Sequence, residues 1–408
     1  MRRVVITGMG GITSLGEEWP VIRARMAKGE SGVRTMPEWD RFPSINTRLA
    51  APVDRTQLEG RYPRKSTRTM GPVSLMAVYA CERALTNAQV LDDPILKSGR
   101  CGIAYGSSFG SFAPVIAFGE LMEKGTTKSL NATSYLQMMS HTAAVNISMF
   151  FGITGRIIPT STACTSGSLA IGYSYEAIAN GHADIMLAGG ADELDISEAA
   201  VFDTLYATST RNDRPHTSPR PFDKDRDGLV IGEGAATLIV EERESAIRRG
   251  APILAEIVGF ATNADGCHAT QSQPETMEQA LRGALRVARL EPARIDFVSG
   301  HGTATAGGDI AESKATHAVF GARIPIHSLK GYFGHSLGAC GAIEAWLGIE
   351  MMRDCLFVPT LNLQEVDPLC APLDYLMGAP RPLDAKYMMS NNFAFGGINT
   401  SLIFRRND

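Results

Sequence analysis

Cys164 is the residue whose surroundings point most directly to chemistry. It lies in a run of small residues, 161–168, which leads into an apolar-periodic stretch that continues to Gly181. This pattern predicts a thiol at a strand-to-helix turn, where unpaired N–H groups and the positive end of the helix favour a thiolate. The same N–H groups can hold the oxyanion that forms when sulfur attacks a thioester. We therefore predict that Cys164 is a covalent nucleophile.

Three glycine-rich segments of the second half follow short apolar runs and carry groups that suit thioester chemistry. They are residues 301–305, 330–335 and 391–397, and the first two contain His301 and His335. A lone histidine is more often structural than catalytic. Two histidines in matched glycine turns, with a cysteine in the other half, favour catalysis, because neutral imidazoles can donate N–H bonds to a thioester carbonyl as it becomes an enolate. The set indicates carbon–carbon bond formation on thioesters.

The composition is that of an ordinary soluble globular protein. The 408 residues carry a formal net charge of −4, so no global basic field favours nucleic acid as a partner. The seven cysteines are odd in number and scattered, without zinc-type spacing, which predicts a reducing, cytoplasmic setting and no structural metal. The short apolar stretch after Arg2 and Arg3 predicts a first strand, not a signal peptide.

The segment 129–175 is unusual because Arg156 is its only Lys, Arg, Asp or Glu residue. Polar residues and glycines interrupt every apolar stretch in it, so we predict no membrane span. The segment is better interpreted as buried from several sides, as at an obligate subunit interface beside the active site. A buried pair of helices within one domain is the alternative.

Two halves of the chain resemble one another. Residues 232–240 align without gaps with residues 396–404, and residues 4–8 correspond to residues 255–259. We therefore predict two similar α/β units, 1–250 and 251–408, packed face to face. Predicted strands alternate with helical patterns, which favours mostly parallel sheets with the chemistry at glycine-rich strand ends.

Four motifs together resemble the β-ketoacyl-ACP synthases of the elongating type, from type II fatty acid and polyketide systems. They are TACTSG, HGTAT, KGYFGH and FAFGGIN, and the resemblance extends over residues 4–404. It implies the thiolase-like fold, with duplicated βαβαβαββ halves in five α-β-α-β-α layers. It also implies a dimer and an acyl carrier protein (ACP) as partner. The expected reaction joins a cysteine-bound acyl chain to malonyl-ACP, with loss of CO₂, and gives a 3-oxoacyl-ACP.

The resemblance also implies a role for each matching residue. Cys164 accepts the acyl group, and the backbone N–H groups of Cys164 and Phe395 form the oxyanion hole. His301 and His335 serve decarboxylation, and Lys330 supports them. The other implied residues are Glu312 and Glu344 as buried network carboxylates, Thr303 and Thr305 as pantetheine contacts, and Thr270 and Ser272 as weaker candidates. Either Thr303 or Thr305 can instead cap the next helix.

An acidic carrier protein requires a local basic patch even on an acidic enzyme. The family pattern implies this role for Arg64, Lys65 and Arg68, and a solvated charge cluster is the alternative interpretation. Additional candidates are Arg61, Lys124 and Lys128.

Two departures from the family pattern suggest a specialised enzyme. Ala394 replaces a glycine before the gating Phe395, and its Cβ would restrict a positive φ. Phe109 replaces a smaller residue of the acyl tunnel, which suggests an altered chain preference. Conjugated chains, such as those of aryl polyenes, are one candidate class, and such systems pair an active synthase with a silent chain-length factor. A homodimer and a heterodimer with such a homologue both remain open.

Three rival interpretations remain. A biosynthetic thiolase would need a second cysteine in the region of residues 393–399, which has none, and Cys340 is interpreted as helix packing. An initiating synthase would have asparagine in place of His335. A catalytically silent chain-length factor or acyl-binding scaffold would lack Cys164. No nicotinamide, flavin or catalytic metal is expected, because no GxGxxG joins a first strand to a helix.

Overall fold

The computed structural model describes residues 1–407, and in this part of the chain the strands and helices alternate as follows. The strands are β1 (Val4–Thr13), β2 (Arg34–Thr35), β3 (Leu49–Ala51), β4 (Cys101–Gly106), β5 (Ile157–Pro159), β6 (Ile185–Asp192), β7 (Ile231–Gly232), β8 (Gly234–Glu242), β9 (Ala255–Ala264), β10 (Phe297–Ser299), β11 (Pro325–His327), β12 (Leu356–Phe357), β13 (Asp374–Tyr375), β14 (Arg381–Pro382), β15 (Tyr387–Ala394) and β16 (Ile398–Arg406). The helices are α1 (Trp19–Ala27), α2 (Arg64–Thr67), α3 (Pro72–Asn87), α4 (Ala113–Lys124), α5 (Ser134–Met138), α6 (Thr142–Phe151), α7 (Ser166–Ala179), α8 (Ile196–Asp203), α9 (Arg243–Arg248), α10 (Pro274–Ala288), α11 (Ala306–Phe320), α12 (Lys330–Phe333) and α13 (Cys340–Asp354).

The strand order reveals the duplication. The large sheet runs β13-β11-β10-β15-β16-β9-β1-β8-β6-β4-β5. Read outward from the β9–β1 seam, β1-β8-β6-β4-β5 and β9-β16-β15-β10-β11 occupy equivalent places. The two segments that the sequence aligned are therefore β8 and β16, and the two openings are β1 and β9. The duplicated thiolase-like fold is confirmed.

The expectation of mostly parallel sheets is wrong. Within residues 1–407, five pairings of the large sheet are parallel and five are antiparallel. The antiparallel pairings lie around the β9–β1 seam, where β8 pairs with β6 and β1, β16 pairs with β15 and β9, and β1 pairs with β9. Residues 395–397 between β15 and β16 are a turn too short for a parallel connection.

Helices cover the outer face of each half of the sheet, and two further helices lie between the halves. Helices α3 and α6 pack on the first half, α10 and α11 cover the second half, and α7 and α13 lie between the two half-sheets. The central buried cluster includes Leu169 and Ile171 of α7 with Trp346 and Leu347 of α13. These contacts produce the expected five layers. The predicted boundary near residue 250 falls in the loop between α9 and β9, and separate domains stay a prediction.

The repeat places its chemistry-bearing turns around the central helices. Cys164 lies in the turn directly before α7, and His335 lies in the corresponding loop before α13. His301 follows β10, and Phe395 lies in the turn between β15 and β16. Among residues 1–407, no helix has both the length and the apolar character needed to cross a membrane.

We predict that Gly167→Ala destabilises the central layer. A Cβ at this position in α7 would lie 2.8 Å from the backbone nitrogen of Ala342 and 2.9 Å from the carbonyl oxygen of Gly338. Backbone atoms cannot move aside cheaply, so the free energy of unfolding should fall by about 1–3 kcal/mol, as measured by denaturant titration.

Gly119→Ala in α4 is the matched control, because a Cβ there meets no atom within 4 Å. This substitution should raise the free energy of unfolding by about 0.5–1 kcal/mol. Equal effects of the two substitutions would contradict the close approach of α7 and α13.

Candidate active site

Cys164 lies on a tight turn directly before α7. The residues Ala163–Thr165 form a single 3-10 turn, and Ala163 has the left-handed φ of 50°. The hydroxyl of Ser166 accepts the N–H of Thr162 at 2.9 Å, which closes this turn. Cys164 is buried, with 5% of its surface exposed. The thiol therefore lies at the end of a cavity, held by a fixed backbone.

Both histidines converge on the sulfur. The Nε2 atom of His335 lies 3.0 Å from the Sγ atom of Cys164. The rings of His301 and His335 are 5.2 Å apart at 85°, and one ring nitrogen from each lies within 4.8 Å of the other and of the sulfur. The three predicted groups therefore reach one reacting centre from opposite halves.

Burial dominates the thiol's acidity. It raises the pKa of Cys164 to about 12, while the charge of Lys330 and the backbone N–H groups of Phe395 and Cys164 oppose the increase. The backbone N–H groups therefore act in the predicted direction, toward the thiolate, but burial outweighs them in the free enzyme. Both N–H groups lie close to the sulfur, and their role as an oxyanion hole stays a prediction.

Lys330 anchors the polar network behind the histidines. Its Nζ donates to the Oε1 atom of Glu344 at 2.6 Å and to the carbonyl oxygen of His301 at 2.6 Å. Burial opposes the ammonium charge, but the attraction of Glu344 and neighbouring groups raises the pKa of Lys330 overall. Lys330 is therefore a buried cation at the centre of the site.

Burial and this cation together keep the imidazoles neutral. Burial, together with the charge of Lys330, lowers the pKa values of His301 and His335 well below the ordinary range. The Nζ atom of Lys330 lies 3.2 Å from the Nδ1 atom of His301. Because an ammonium group only donates, Nδ1 must accept, and the ring proton of His301 resides on Nε2. That N–H is the donor needed for an enolate oxygen.

Two carboxylates hold the loop that carries His301. The oxygens of Glu312 accept the N–H groups of His301 and Gly302, each at 2.6 Å, and burial raises the pKa of Glu312 to about 7. Asp309 accepts the N–H groups of Thr303 and Ala304 at 3.0 and 3.1 Å. Asp309, four residues after the HGTAT motif, had no predicted role.

A cavity of about 350 Å³ opens onto the sulfur. Its lining includes the predicted residues Cys164, His301, His335, Thr303, Thr305, Thr270, Ser272 and Phe395. Phe109 is not among the residues that line this cavity, and its place in an acyl tunnel stays a prediction. Phe109 is 41% exposed, and its ring stacks on Phe112 at 4.5 Å. The hydroxyls of Thr303 and Thr305 are 2.8 Å apart and face the same space.

The gate residue is only partly covered. The ring of Phe395 is 5.1 Å from that of Phe202, and 36% of Phe395 is exposed. Ala394 ends β15 in extended pairing with Ile398, outside the left-handed region. The concern about a positive φ at Ala394 is therefore wrong, because Gly396 and Gly397 supply the left-handed residues of this turn, with φ values of 87° and 73°.

The basic residues proposed for docking are exposed. Arg64, Lys65 and Arg68 lie in and directly after α2, and within residues 1–407 no carboxylate pairs with them. The additional candidates differ, because Arg61 pairs with Glu82 at 2.7 Å and Lys124 pairs with Glu120 at 3.6 Å. Lys128 is exposed.

Besides Asp309, three further buried residues of the site were not predicted from the sequence. Asp192 accepts the N–H groups of Ser108 and Gly338, and so ties the two halves together. The thiol of Cys340 donates to the carbonyl oxygen of Cys164 at 3.3 Å. Cys340 therefore makes a polar contact with the turn that carries the nucleophile, in addition to the predicted helix packing. Asn392 contacts both His301 and Glu344. Only the asparagine pair at residues 391 and 392, which follows a short apolar run, was a signal in the sequence.

A cysteine and two imidazoles in a duplicated α/β fold define a condensing enzyme with the thiolase-like fold. Comparison with family models matches residues 1–246 to the beta-ketoacyl synthase N-terminal domain and residues 254–364 to the beta-ketoacyl synthase C-terminal domain. The chain belongs to the beta-ketoacyl synthase family.

Relatives and solved structures agree with this assignment. The 3-oxoacyl-[acyl-carrier-protein] synthase 2 of Staphylococcus aureus is 35% identical, over 99% of this chain and 98% of the relative. The corresponding protein of Vibrio harveyi is 34% identical, over 99% of each chain. A crystal structure of a beta-ketoacyl synthase from Burkholderia phymatum is 58% identical and covers both chains fully, with a TM-score of 0.99. The ishigamide ketosynthase/chain length factor is 29% identical and also covers both chains fully, with a TM-score of 0.91.

We predict that alkylation of Cys164 by iodoacetamide accelerates steadily with pH. Since burial raises the thiol's pKa, the thiolate fraction should grow about tenfold per pH unit between about pH 7 and 10. Lys330→Met removes a charge that lowers this pKa, so it should slow alkylation at every pH. Peptide mass spectrometry at Cys164 measures both rates, and a plateau near neutral pH would contradict the burial argument.

Proposed function

We propose that this chain is an elongating β-ketoacyl-ACP synthase, an acyltransferase that performs decarboxylative condensation. The observation that carries the proposal is the contact of 3.0 Å between the Sγ atom of Cys164 and the Nε2 atom of His335, with His301 across the same cavity. The names of the relatives from Staphylococcus aureus and Vibrio harveyi support the same reaction.

The first step transfers an acyl chain to Cys164. The sulfur attacks the thioester of acyl-ACP and its thiol proton is released for the departing thiol, while His335 keeps its own ring proton on Nε2, which faces the sulfur. The backbone N–H groups of Cys164 and Phe395, which point at the sulfur, stabilise the oxyanion. The carrier leaves as a pantetheine thiolate, which takes up a proton, and the acyl group remains on Cys164.

The second step removes CO₂ from malonyl-ACP. As the carbon–carbon bond breaks, its electron pair forms an enolate, and His301 and His335 donate N–H bonds to the enolate oxygen. The neutral state of both rings suits this task, because a donor is needed but a proton must not be lost to the carbanion. The Thr303 and Thr305 hydroxyls hold the pantetheine arm.

In the third step the enolate carbon attacks the acyl group, and the Cys164 thiolate is expelled. The product is a 3-oxoacyl-ACP, lengthened by the two malonyl-derived carbons. Lys330, Glu344 and Glu312 keep the histidines in place throughout. The proposed chemistry uses no nicotinamide, flavin or metal, because both substrates arrive activated as thioesters.

The rival functions have less support. A silent chain-length factor lacks a nucleophile, whereas this chain has Cys164 in contact with His335. A thiolase needs a second cysteine that faces the substrate, but the thiol of Cys340 is fully buried and directed at a backbone carbonyl. The aryl polyene class and the cytoplasmic location stay predictions.

A second subunit is proposed from an exposed apolar surface at the edge of the sheet. Strand β5 ends the large sheet, and Ile157 in it is 37% exposed. Nearby helices expose further large apolar side chains, at Ile116, Tyr135 and Met149. Unpaired sheet edges with apolar neighbours favour association. A subunit on this face would also cover Phe109, whether that subunit is identical or a chain-length-factor-like homologue.

Mass spectrometry of the full chain mixed with acyl-ACP tests the proposed function. We predict that the wild-type protein gains one acyl mass and that Cys164→Ala gains none. Cys164→Gln should lose condensation but keep decarboxylation of malonyl-ACP, because the histidines and the oxyanion hole remain. A wild-type chain that gains no acyl mass would contradict the assignment.

We also predict that Arg68→Glu weakens binding of ACP. A solved structure of a type II PKS acyl-carrier protein in complex with its ketosynthase is 30% identical to this chain, with a TM-score of 0.88. This likeness supports such docking here. The KM for acyl-ACP should rise at low salt, and the difference from wild type should shrink as salt increases. Lys314→Glu, an exposed and unpaired charge on α11, is the matched control, and identical kinetics of both variants would exclude the patch.

A further inference from the structure

Asn392 lies at the back of the active site without an assigned role. It is on β15, is fully buried, and lies between the Lys330–Glu344 ion pair and the ring of His301. Its Nδ2 atom is 2.7 Å from the Oε2 atom of Glu344 and 3.3 Å from the Nδ1 atom of His301. A buried amide in this place has a defined orientation and a defined effect on the histidine.

The carboxylate fixes the orientation of the amide. If the side chain were flipped, its Oδ1 atom would face the Oε2 atom of Glu344 at hydrogen-bond distance, and two acceptors would repel each other. One N–H of Asn392 therefore goes to Glu344. The second is left for the Nδ1 atom of His301, with the Sγ atom of Cys340 at 3.7 Å as a weaker partner.

The amide adds a second donor at the Nδ1 atom of His301. Lys330 has three N–H bonds and uses two of them at 2.6 Å, on Glu344 and on the carbonyl oxygen of His301, which leaves the longer contact of 3.2 Å for Nδ1. Neither donor can accept a proton in return. Together they exclude the tautomer with a proton on Nδ1, in which Nε2 could not donate into the cavity.

We propose that Asn392 is a positioning residue that holds His301 in the Nε2–H tautomer and fixes the carboxylate of Glu344 beside it. This inference rests on the role proposed above for His301 in decarboxylation. Since acyl transfer to Cys164 does not use His301, Asn392 supports the decarboxylation step and leaves acyl transfer unaffected.

The test uses Asn392→Leu in the full chain, because leucine has a similar volume and no donor. Intact-mass spectrometry measures acyl loading of Cys164 from acyl-ACP, and release of CO₂ from malonyl-ACP measures decarboxylation. We expect unchanged loading and decarboxylation slowed by about tenfold or more, since a lost donor beside a buried acceptor is worth about 1–3 kcal/mol. Asn392→Ser keeps one donor and should lose less activity, and it provides the same test if the leucine variant does not fold.

Asn391→Leu is the matched control. Asn391 is the preceding residue of β15, is fully buried, and within residues 1–407 its amide atoms have no hydrogen-bond partner. Its side chain faces the other side of the sheet, so both steps should continue at the wild-type rate. Equal slowing of both steps in Asn392→Leu, or an unchanged decarboxylation rate, would overturn the role of Asn392. A wild-type protein that performs neither step would instead overturn the proposed function.

Discussion

The buried ion pair of Lys330 and Glu344 is the interaction on which the active site depends. A charge in the protein interior persists only when partners offset its desolvation, and Lys330 has such partners at 2.6 Å on two sides. Its positive charge then shifts the pKa values of the ionisable groups nearby. Burial and this charge together lower the pKa values of both imidazoles, and the charge lowers the pKa of Cys164 against the effect of burial. Burial and this cation thus act together on the protonation of the three reacting groups, in the same direction at the histidines and in opposite directions at the cysteine.

The duplication explains why these groups meet. Each half carries a loop that leads into a central helix, and α7 and α13 pack against each other between the two half-sheets. The nucleophile comes from one copy, and the histidines come from the other. Asp192 and Cys340 then link the copies by hydrogen bonds, to Gly338 and to the carbonyl oxygen of Cys164. The site is therefore a product of the packing of two halves, and neither half contains the reacting set alone.

Some features of the active site could be predicted from the sequence and others could not. Glycine-rich turns were predictable at His301, His335 and Phe395, because their backbone conformations require glycine beside a polar or aromatic group. The backbone conformation of Ala394 was not predictable from the sequence, since the left-handed residues of that turn are the two glycines that follow Ala394. The balance between burial and helix terminus at Cys164 was not predictable either, because burial depends on what the other half places over the sulfur.

The sequence alone determined the repeat, the nucleophile and the paired histidines, since these depend on residue type and local spacing. Only the tertiary structure decided which buried side chains surround the nucleophile and the histidines. Asn392, Glu344 and Lys330 lie within hydrogen-bond reach of one another although up to 62 residues of chain separate them. Contacts of that kind are set by the packing of β15 against α13, and no local pattern encodes the distance between two side chains that meet across a sheet and a helix.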